Sequence, residues 1–274
     1  MVNKLFTFSS ILFFLITALW LYNDMNPEWK YYQSTFQKMA LDKAKTEKEK
    51  ESILEEGTEI RQIIIPELQL IDRCTTCHAG VKNPDFKDTE VPYKYHSPIL
   101  LNHKLNKYGC STCHGGQGLA TTKQAAHGNV SYWHKPVFKG DYVQSSCGKC
   151  HFETYVDGAP LLAVGKRLYE LYGCINCHKI YKEGGAAGPD LTKVASKEPQ
   201  EFVWENYKGE RALKEWLFLH FKDTTTFQPD SKMSNYKMDD YNAKALTIYM
   251  LSLVKEKYPD EYYVGEKPHI EEAE

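Results

Sequence analysis

Residues 74–78 read Cys-Thr-Thr-Cys-His, and the same pattern, Cys-x-x-Cys-His, returns at residues 110–114, 147–151 and 174–178. All eight cysteines of the 274-residue chain belong to these four units. The spacing has a chemical reason, because cysteines three positions apart lie on one helical turn and can both bond to the vinyl groups of one haem. The histidine that follows then reaches the iron. We therefore expect four covalently attached haem c groups.

Each unit supplies two thioether attachments and one iron ligand. Zinc sites, redox dithiols and disulfides also use paired cysteines, but none of them explains a histidine after every second cysteine. The expected attachment residues are Cys74, Cys77, Cys110, Cys113, Cys147, Cys150, Cys174 and Cys177, and the expected proximal ligands are His78, His114, His151 and His178.

The first two dozen residues predict a membrane anchor. Residues 5–21 form an apolar run that Lys4 precedes and Asn23 follows, so we expect the rest of the chain to cross to the extracytoplasmic side. A cleaved signal peptide is the alternative, but residues 18–22 offer no small-x-small cleavage site. Because c-type haem is attached outside the cytoplasm, we expect a single-pass inner-membrane protein with its haem domains in the periplasm.

Beyond the anchor, the pattern predicts an amphipathic and then charged stalk. An apolar stripe at helical spacing includes Trp29 and Phe36, and residues 38–61 carry six basic and seven acidic side chains. Because the two signs balance, we interpret residues 38–61 as a solvated helix that Gly57 ends. A short β-like run over residues 61–68 contains Pro66.

The middle of the chain shows little regular periodicity and many Gly, Pro, Asn and Lys residues, as expected where porphyrins form the core. An apolar content of 42% and a formal charge of −2 exclude a disordered chain and a basic nucleic-acid-binding field. The predicted fold is mainly α with much irregular loop. Its divisions are a transmembrane anchor (1–24), a stalk helix (25–65), a trihaem module (66–160), a monohaem domain (161–258) and an acidic tail (259–274).

Three irons still need a sixth ligand, and four histidines lie between the first and third haem units. We expect three of these four to bind iron, with His134 the least favoured of His96, His103, His127 and His134. Two other histidines are not expected to bind iron. We interpret His220, inside an apolar helix over residues 213–221, as structural, and His269, in the acidic tail, as solvated.

Residues 161–258 resemble a class I (mitochondrial-type) cytochrome c domain. The motifs are the stretch 165–173 leading into Cys174, then Gly188-Pro189-Asp190-Leu191, Met233 near Asn235-Tyr236, and an apolar-periodic helix over residues 239–254. The resemblance implies that Tyr169 packs near Tyr249, that the Pro189 carbonyl accepts a hydrogen bond from His178 Nδ1, and that Met233 supplies the distal sulfur. Members of the family usually have proline after this methionine, whereas Ser234 follows here, so Met238 remains an alternative ligand and a core-filling role remains open for both methionines.

The amino-terminal two thirds look similar to membrane-anchored multihaem cytochromes c that accompany cytochrome b and Rieske-type subunits in bacterial quinol-oxidising complexes. The resemblance rests on residues 26–33, 62–68, 72–78, 108–118 and 126–128. It implies a subunit of a respiratory complex that has those subunits as partners and passes electrons to a soluble periplasmic acceptor.

These observations predict electron transfer, with no catalytic residues. Two imidazoles on each of the first three irons favour lower potentials, while thioether ligation at the fourth raises its potential. The sequence contains no evident paired carboxylates, activated nucleophile or phosphate loop. The alternatives are a multihaem reductase or peroxidase with one open haem iron, and a haem-based sensor or purely structural anchor.

Overall fold

The computed structural model describes residues 2–96, 98–133, 135–205, 207–209 and 211–266. Two of the histidines considered above, His134 and His269, lie outside these ranges. Two compact units make up the chain. The first comprises Met1–Ser111 and Gly116–Asn129, and the second comprises Thr112–Gly115 and Val130–Glu274. Helices and irregular loops dominate both, and extended structure among the described residues is confined to two short hairpins and one isolated bridge.

The first unit opens with α1 (Val2–Met25). Its large apolar side chains are exposed instead of packed in a core, for example Phe13 at 72% and Trp20 at 63%. The stretch Asn3–Met25 is long and apolar enough to cross a membrane. A signal sequence has the same length and composition, so this helix is either an anchor or a targeting segment.

The stalk consists of two helices, α2 (Glu28–Lys43) and α3 (Glu47–Glu55), so the single helix predicted over residues 38–61 is wrong. The break has a local cause: Thr46 caps α3, accepting from Glu49 N at 3.2 Å while the Glu49 carboxylate accepts from Thr46 N. Beyond α3, Gly57 has a φ of +61°, which is consistent with its predicted terminating role.

A hairpin then leads to the first haem motif. Strands β1 (Ile63–Ile65) and β2 (Leu70–Asp72) are antiparallel, with Ile63 opposite Asp72. Alternation along β1 buries Ile65 and exposes Ile64. Pro66 opens the connecting turn, so the β-like run over residues 61–68 is the first half of a hairpin. The rest of this region contains the one-turn helices α4 (Leu105–Tyr108), α5 (Ser111–His114) and α6 (Lys123–Ala126).

The second unit is built on three helices, α7 (Pro160–Leu171), α8 (Leu213–Lys222) and α9 (Asp240–Leu251), with a small hairpin of β3 (Lys179–Ile180) and β4 (Glu183–Gly184). The α7–α9 pair is closely packed at Gly165, where an added Cβ would lie 2.2 Å from the Ala245 carbonyl oxygen. Leu162, Leu246 and Ile248 are fully buried in this core. Asp239 caps α9 by accepting from Asn242 N at 2.8 Å.

The third Cys-x-x-Cys-His motif packs on this helical core. It lies at the end of a 3₁₀ segment, Gly140–Lys149, whose Gly148 faces Ser252 so closely that an added Cβ would be 2.7 Å from its side chain. The third and fourth motifs therefore belong to the same folded unit.

Candidate functional site

The fourth motif begins where α7 ends. Gly173 has a φ of +67°, a conformation that glycine adopts without strain, and it starts the 3₁₀ turn Cys174–Asn176. His178 N donates to Cys174 O at 2.8 Å. This bond folds the motif into one turn, with Cys174 buried and Cys177 exposed. The motif thus forms the single turn that its spacing predicted.

The ring of His178 is held by the loop that follows β4. His178 Nδ1 lies 2.9 Å from the Pro189 carbonyl oxygen, so Nδ1 carries the proton and Nε2 keeps its lone pair for a metal. Gly188 lies against the same ring, where an added Cβ would be 2.5 Å from Cε1. The contact between His178 and Pro189 that the resemblance implied is present. The residues around His178 therefore fit a proximal haem ligand.

The contact between the first and last helices of this domain is also present. The rings of Tyr169 and Tyr249 have centroids 5.8 Å apart in an edge-to-face arrangement. The Tyr169 hydroxyl donates to His178 O at 2.7 Å, which ties the helix pair to the motif. Burial raises the pKa of Tyr169, so the hydroxyl remains a donor.

Of the two candidate methionines, Met233 is half-buried and contacts His220, whereas Met238 lies in the core. The Met233 sulfur is 3.2 Å from Nε2 of His220, and an electrostatic interaction with His178 contributes to lowering the pKa of that same His220. Met238 is 4% exposed and its backbone N–H bonds to Phe221 O at 3.4 Å. This arrangement favours Met233 as the distal ligand, which remains a prediction.

The neighbour of Met233, His220, was expected to be only structural, and the residue pattern gave little sign of more. It lies within an apolar segment of α8, 8% exposed and stacked on Trp216 with ring centroids 4.5 Å apart. Burial, with a smaller contribution from His178, lowers the pKa of His220 to about 4, so the ring is neutral at physiological pH. A histidine at this place in the helix could have been noticed, but only the tertiary contact identifies it as part of the site.

In the first unit, the structure places one candidate distal histidine opposite a proximal one. The first motif closes a turn in which His78 N donates to Cys74 O at 2.9 Å. The rings of His78 and His127 have centroids 6.2 Å apart. Two imidazoles that share one metal ion, each bound at about 2 Å, have ring centres about 6 Å apart. The His78–His127 pair fits this separation.

The other candidate histidines that the structure describes lie elsewhere on the first unit's loops. His96 N donates to Val81 O at 3.1 Å, and the His103 ring lies 5.1 Å from the ring of Tyr108. Both side chains are half-buried. Their assignment to particular irons stays a prediction, and that of His134 falls outside the described residues.

The fully buried carboxylate of Asp72 connects the first and second motifs. It accepts from the backbone N–H groups of Cys74 (3.0 Å), Cys110 and Ser111 (2.8 Å each), and from the Ser111 hydroxyl (2.9 Å). Burial alone would raise the pKa of Asp72, but these hydrogen bonds hold it below its ordinary value. The sulfur atoms of Cys74 and Cys110 and an Asp72 oxygen all lie within 4.8 Å of one another. Nothing in the sequence pattern marks Asp72 as buried, so its role between the two motifs was not predicted.

In the second unit, the second half of motif two lies near motif three. Burial raises the pKa of the Cys113 thiol, and the charge of Cys147 raises it further while Lys149 opposes this. Lys149 donates to Thr112 O at 3.2 Å, in the turn that contains Cys113. These thiols are therefore close enough to interact.

The expected third proximal ligand, His151, has a carboxylate neighbour and lies beside a cavity. His151 Nδ1 is 3.4 Å from a carboxylate oxygen of Glu153, as is common for histidines that bind a metal through the other ring nitrogen. Beside it is a cavity of about 620 Å³, within the usual range of cofactor pockets, whose lining includes Lys166, Ile175 and Tyr181. All eight cysteines are free in the structure, so it gives no support to the disulfide alternative.

Comparison with known proteins agrees with the carboxy-terminal geometry. No curated protein matches the chain. Residues 162–254 match the family model described as cytochrome c. A cytochrome c domain implies covalently bound haem c and suggests a haem-based electron-transfer role. The chain therefore contains a cytochrome c domain over residues 162–254.

Proposed function

We propose that the protein is a membrane-anchored tetrahaem c-type cytochrome. It would transfer electrons from a quinol-oxidising complex with cytochrome b and Rieske-type subunits to a soluble periplasmic acceptor. Each haem would supply an iron that takes up and releases one electron. The observation that carries the proposal is that attachment cysteines of successive motifs lie side by side within each folded unit.

In the first unit this juxtaposition involves motifs one and two. A side-chain hydrogen bond between Cys74 and Cys110 is the main factor raising the pKa of the Cys74 thiol, and Asp72 holds the backbone of both. Haems bonded to these two sulfurs would start from neighbouring points of the polypeptide. This supports direct electron exchange between the first and second haems.

In the second unit, the neighbouring attachment cysteines belong to motifs two and three. Burial is the main cause that raises the pKa of the Cys150 thiol to about 12, and the neighbouring Cys113 and Cys147 add to the increase. Haems bonded to these sulfurs would start from neighbouring points of the second unit's polypeptide. This supports direct electron exchange between the second and third haems.

The expected axial ligands favour one direction of electron transfer through the haems. The His78–His127 spacing supports two imidazoles at the first iron, which lowers its potential. A thioether from Met233, which contacts His220 in the same domain as His178, would raise the potential of the fourth. Electrons would enter through the first three haems and leave from the fourth. The polypeptide's part is to fix distances, exclude water and hold each imidazole tautomer.

The test is haem counting on the intact chain combined with purification from membranes. Mass spectrometry of the detergent-purified protein should give a mass increase of four haem c, and a cytochrome b should co-purify. The matched variant, Cys147→Ala with Cys150→Ala, should lose one haem and keep the others. A wild-type chain that carries fewer than four haems, or that purifies without any haem-containing partner, would contradict the proposal.

Carbon monoxide separates electron transfer from the enzyme alternative. Six-coordinate irons bind carbon monoxide poorly, whereas a reductase or peroxidase needs one open iron. The reduced wild-type protein should therefore show little carbon monoxide-induced change in its haem absorption bands. Rapid binding at one haem would favour the reductase or peroxidase.

A further inference from the structure

Beside Met233, the predicted distal ligand of the fourth haem, lies the imidazole of His220, which is not among the iron ligands assigned above. His220 Nε2 lies 3.2 Å from the Met233 sulfur, within the range of a hydrogen bond to sulfur. The other ring nitrogen, Nδ1, is buried and has no hydrogen-bond partner among the described residues. Buried polar atoms usually have partners, so this unpaired nitrogen distinguishes His220 from an ordinary core side chain.

The chemistry of the two partners decides which atom carries the proton. A thioether sulfur has lone pairs and no hydrogen, so it can only accept. The contact is therefore an N–H donated by Nε2, and Nδ1 is the unprotonated nitrogen.

The ring cannot easily turn away from this contact. Trp216, one helical turn earlier on α8, stacks on it with an interplanar angle of 15°. The Trp216 indole is itself fixed, because its Nε1–H donates to Val203 O at 2.9 Å. On the other side, Thr224 Oγ1 donates to Met233 O at 3.4 Å and restrains the backbone that carries the sulfur.

We propose that His220 sets the reduction potential of the fourth haem by donating its Nε2–H to the Met233 sulfur that binds the iron. The proposal rests on the assignment of Met233 in the proposed function. A hydrogen bond to the sulfur withdraws electron density from it and makes it a weaker donor to iron. The reduced iron is thereby favoured and the potential raised, as hydrogen bonds to ligand atoms do at other metal centres. His220 is thus a positioning and tuning residue, and it does not bind iron itself.

The test is a redox titration of the full chain and of His220→Phe, a variant that keeps an aromatic ring against Trp216 but has no donor. The titration follows the sulfur-to-iron charge-transfer band, which reports the methionine-ligated ferric haem alone. In His220→Phe the band should persist, and the fourth haem should become harder to reduce by up to about tenfold, which is about 59 mV for one electron. His220→Gln, which restores an N–H donor at similar reach, should recover most of the shift.

Several results would overturn the proposal. An unchanged potential in His220→Phe with the band intact would show that the hydrogen bond does not tune the iron. Loss of the band together with rapid carbon monoxide binding in His220→Phe would show that His220 is itself the ligand. Met233→Ala provides the separate control: if the band survives there, the assignment of Met233 is wrong, whatever His220 does. Haem content by mass and thermal unfolding of each variant identify a chain that has simply failed to fold.

Discussion

At the scale of single residues, Asp72 is the most consequential side chain that the sequence pattern did not single out. Its carboxylate is fully buried and accepts four hydrogen bonds from the starts of two haem motifs. In the proposed tetrahaem protein, a buried negative charge beside two attachment points would favour their oxidised irons, because the ferric form carries the larger positive charge. Asp72 thus connects the two motifs structurally and would also act on both irons electrostatically.

Replacing Asp72 with Asn should raise the potentials of the first two haems and destabilise the first unit by about 3 kcal/mol, since hydrogen bonds to a charged group are lost. Potentiometry and thermal unfolding measure the two effects. The exposed Asp88→Asn variant removes the same charge elsewhere and should change neither. Equal effects in both variants would mean that net charge alone is responsible.

The same carboxylate predicts a dependence of stability on pH. Because the folded-state pKa of Asp72 is depressed, its stabilisation is fully present above the ordinary carboxyl pKa of about 4 and is lost as the pH falls through the lower folded value. The free energy of unfolding should therefore decrease below about pH 4 in the wild type. In Asp72→Asn this part of the decrease should be missing, and an identical acid profile would contradict the assignment.

His127 provides a second test at the residue scale. If it shares the first iron with His78, His127→Ala should produce one high-spin haem that binds carbon monoxide and leave the other haems unchanged. Electron paramagnetic resonance distinguishes the two spin states. Gln124→Ala, within helix α6, which ends just before His127, is the control and should be silent. A low-spin spectrum in His127→Ala would assign the distal position to another histidine.

At the scale of elements, the contact between α7 and α9 positions the fourth haem motif. The helices approach so closely at Gly165 that any side chain there would meet the Ala245 carbonyl oxygen. One turn later on α7, Tyr169 bonds to His178 O, so a shift of α7 would move the proximal histidine. Helix packing and haem geometry are therefore coupled in this domain.

Gly165→Ala should lower the stability of the second unit by about 1–3 kcal/mol, because the added methyl group forces the two helices apart. The sulfur-to-iron charge-transfer band should weaken as His178 moves. Thermal unfolding and visible absorption measure these changes. Arg167→Ala, an exposed position on the same helix, should leave both unchanged. A fully stable Gly165→Ala protein would show that the helix pair can relax.

At the scale of the whole molecule, the fate of α1 leads to a prediction about where the protein is located. If it is retained as an anchor, the mature protein should begin at or next to Met1 and extract only with detergent. A version that starts near Asn26 behind a cleavable signal should be soluble, with its haems attached. It should accept electrons from small reductants but turn over slowly with membranes, because tethering raises the effective concentration near the partner. Amino-terminal sequencing and turnover assays test this, and a mature terminus after Trp20 would identify a free periplasmic carrier.

Much of the protein could be predicted from residues that are close together in the chain. The Cys-x-x-Cys-His units, the apolar run before Asn23 and the order of the last three helices all depend on local spacing, which sequence displays directly. The resemblance of residues 161–258 to a class I cytochrome c domain implied the contact of Pro189 with His178 and the pairing of Tyr169 with Tyr249. The domain match and the two contacts confirm these expectations.

Only the tertiary structure decided which distant residues meet. Asp72 and Cys110 are 38 positions apart, and His220 lies 13 positions before Met233, so no periodicity links either pair. The break at Thr46 also depended on a side-chain cap that competes with helix continuation, which balanced charge could not reveal. Haem attachment depends on residues within five consecutive positions, so the sequence alone predicts it. Tuning of that chemistry depends on burial and on contacts across the fold, and it becomes visible only when the chain is folded.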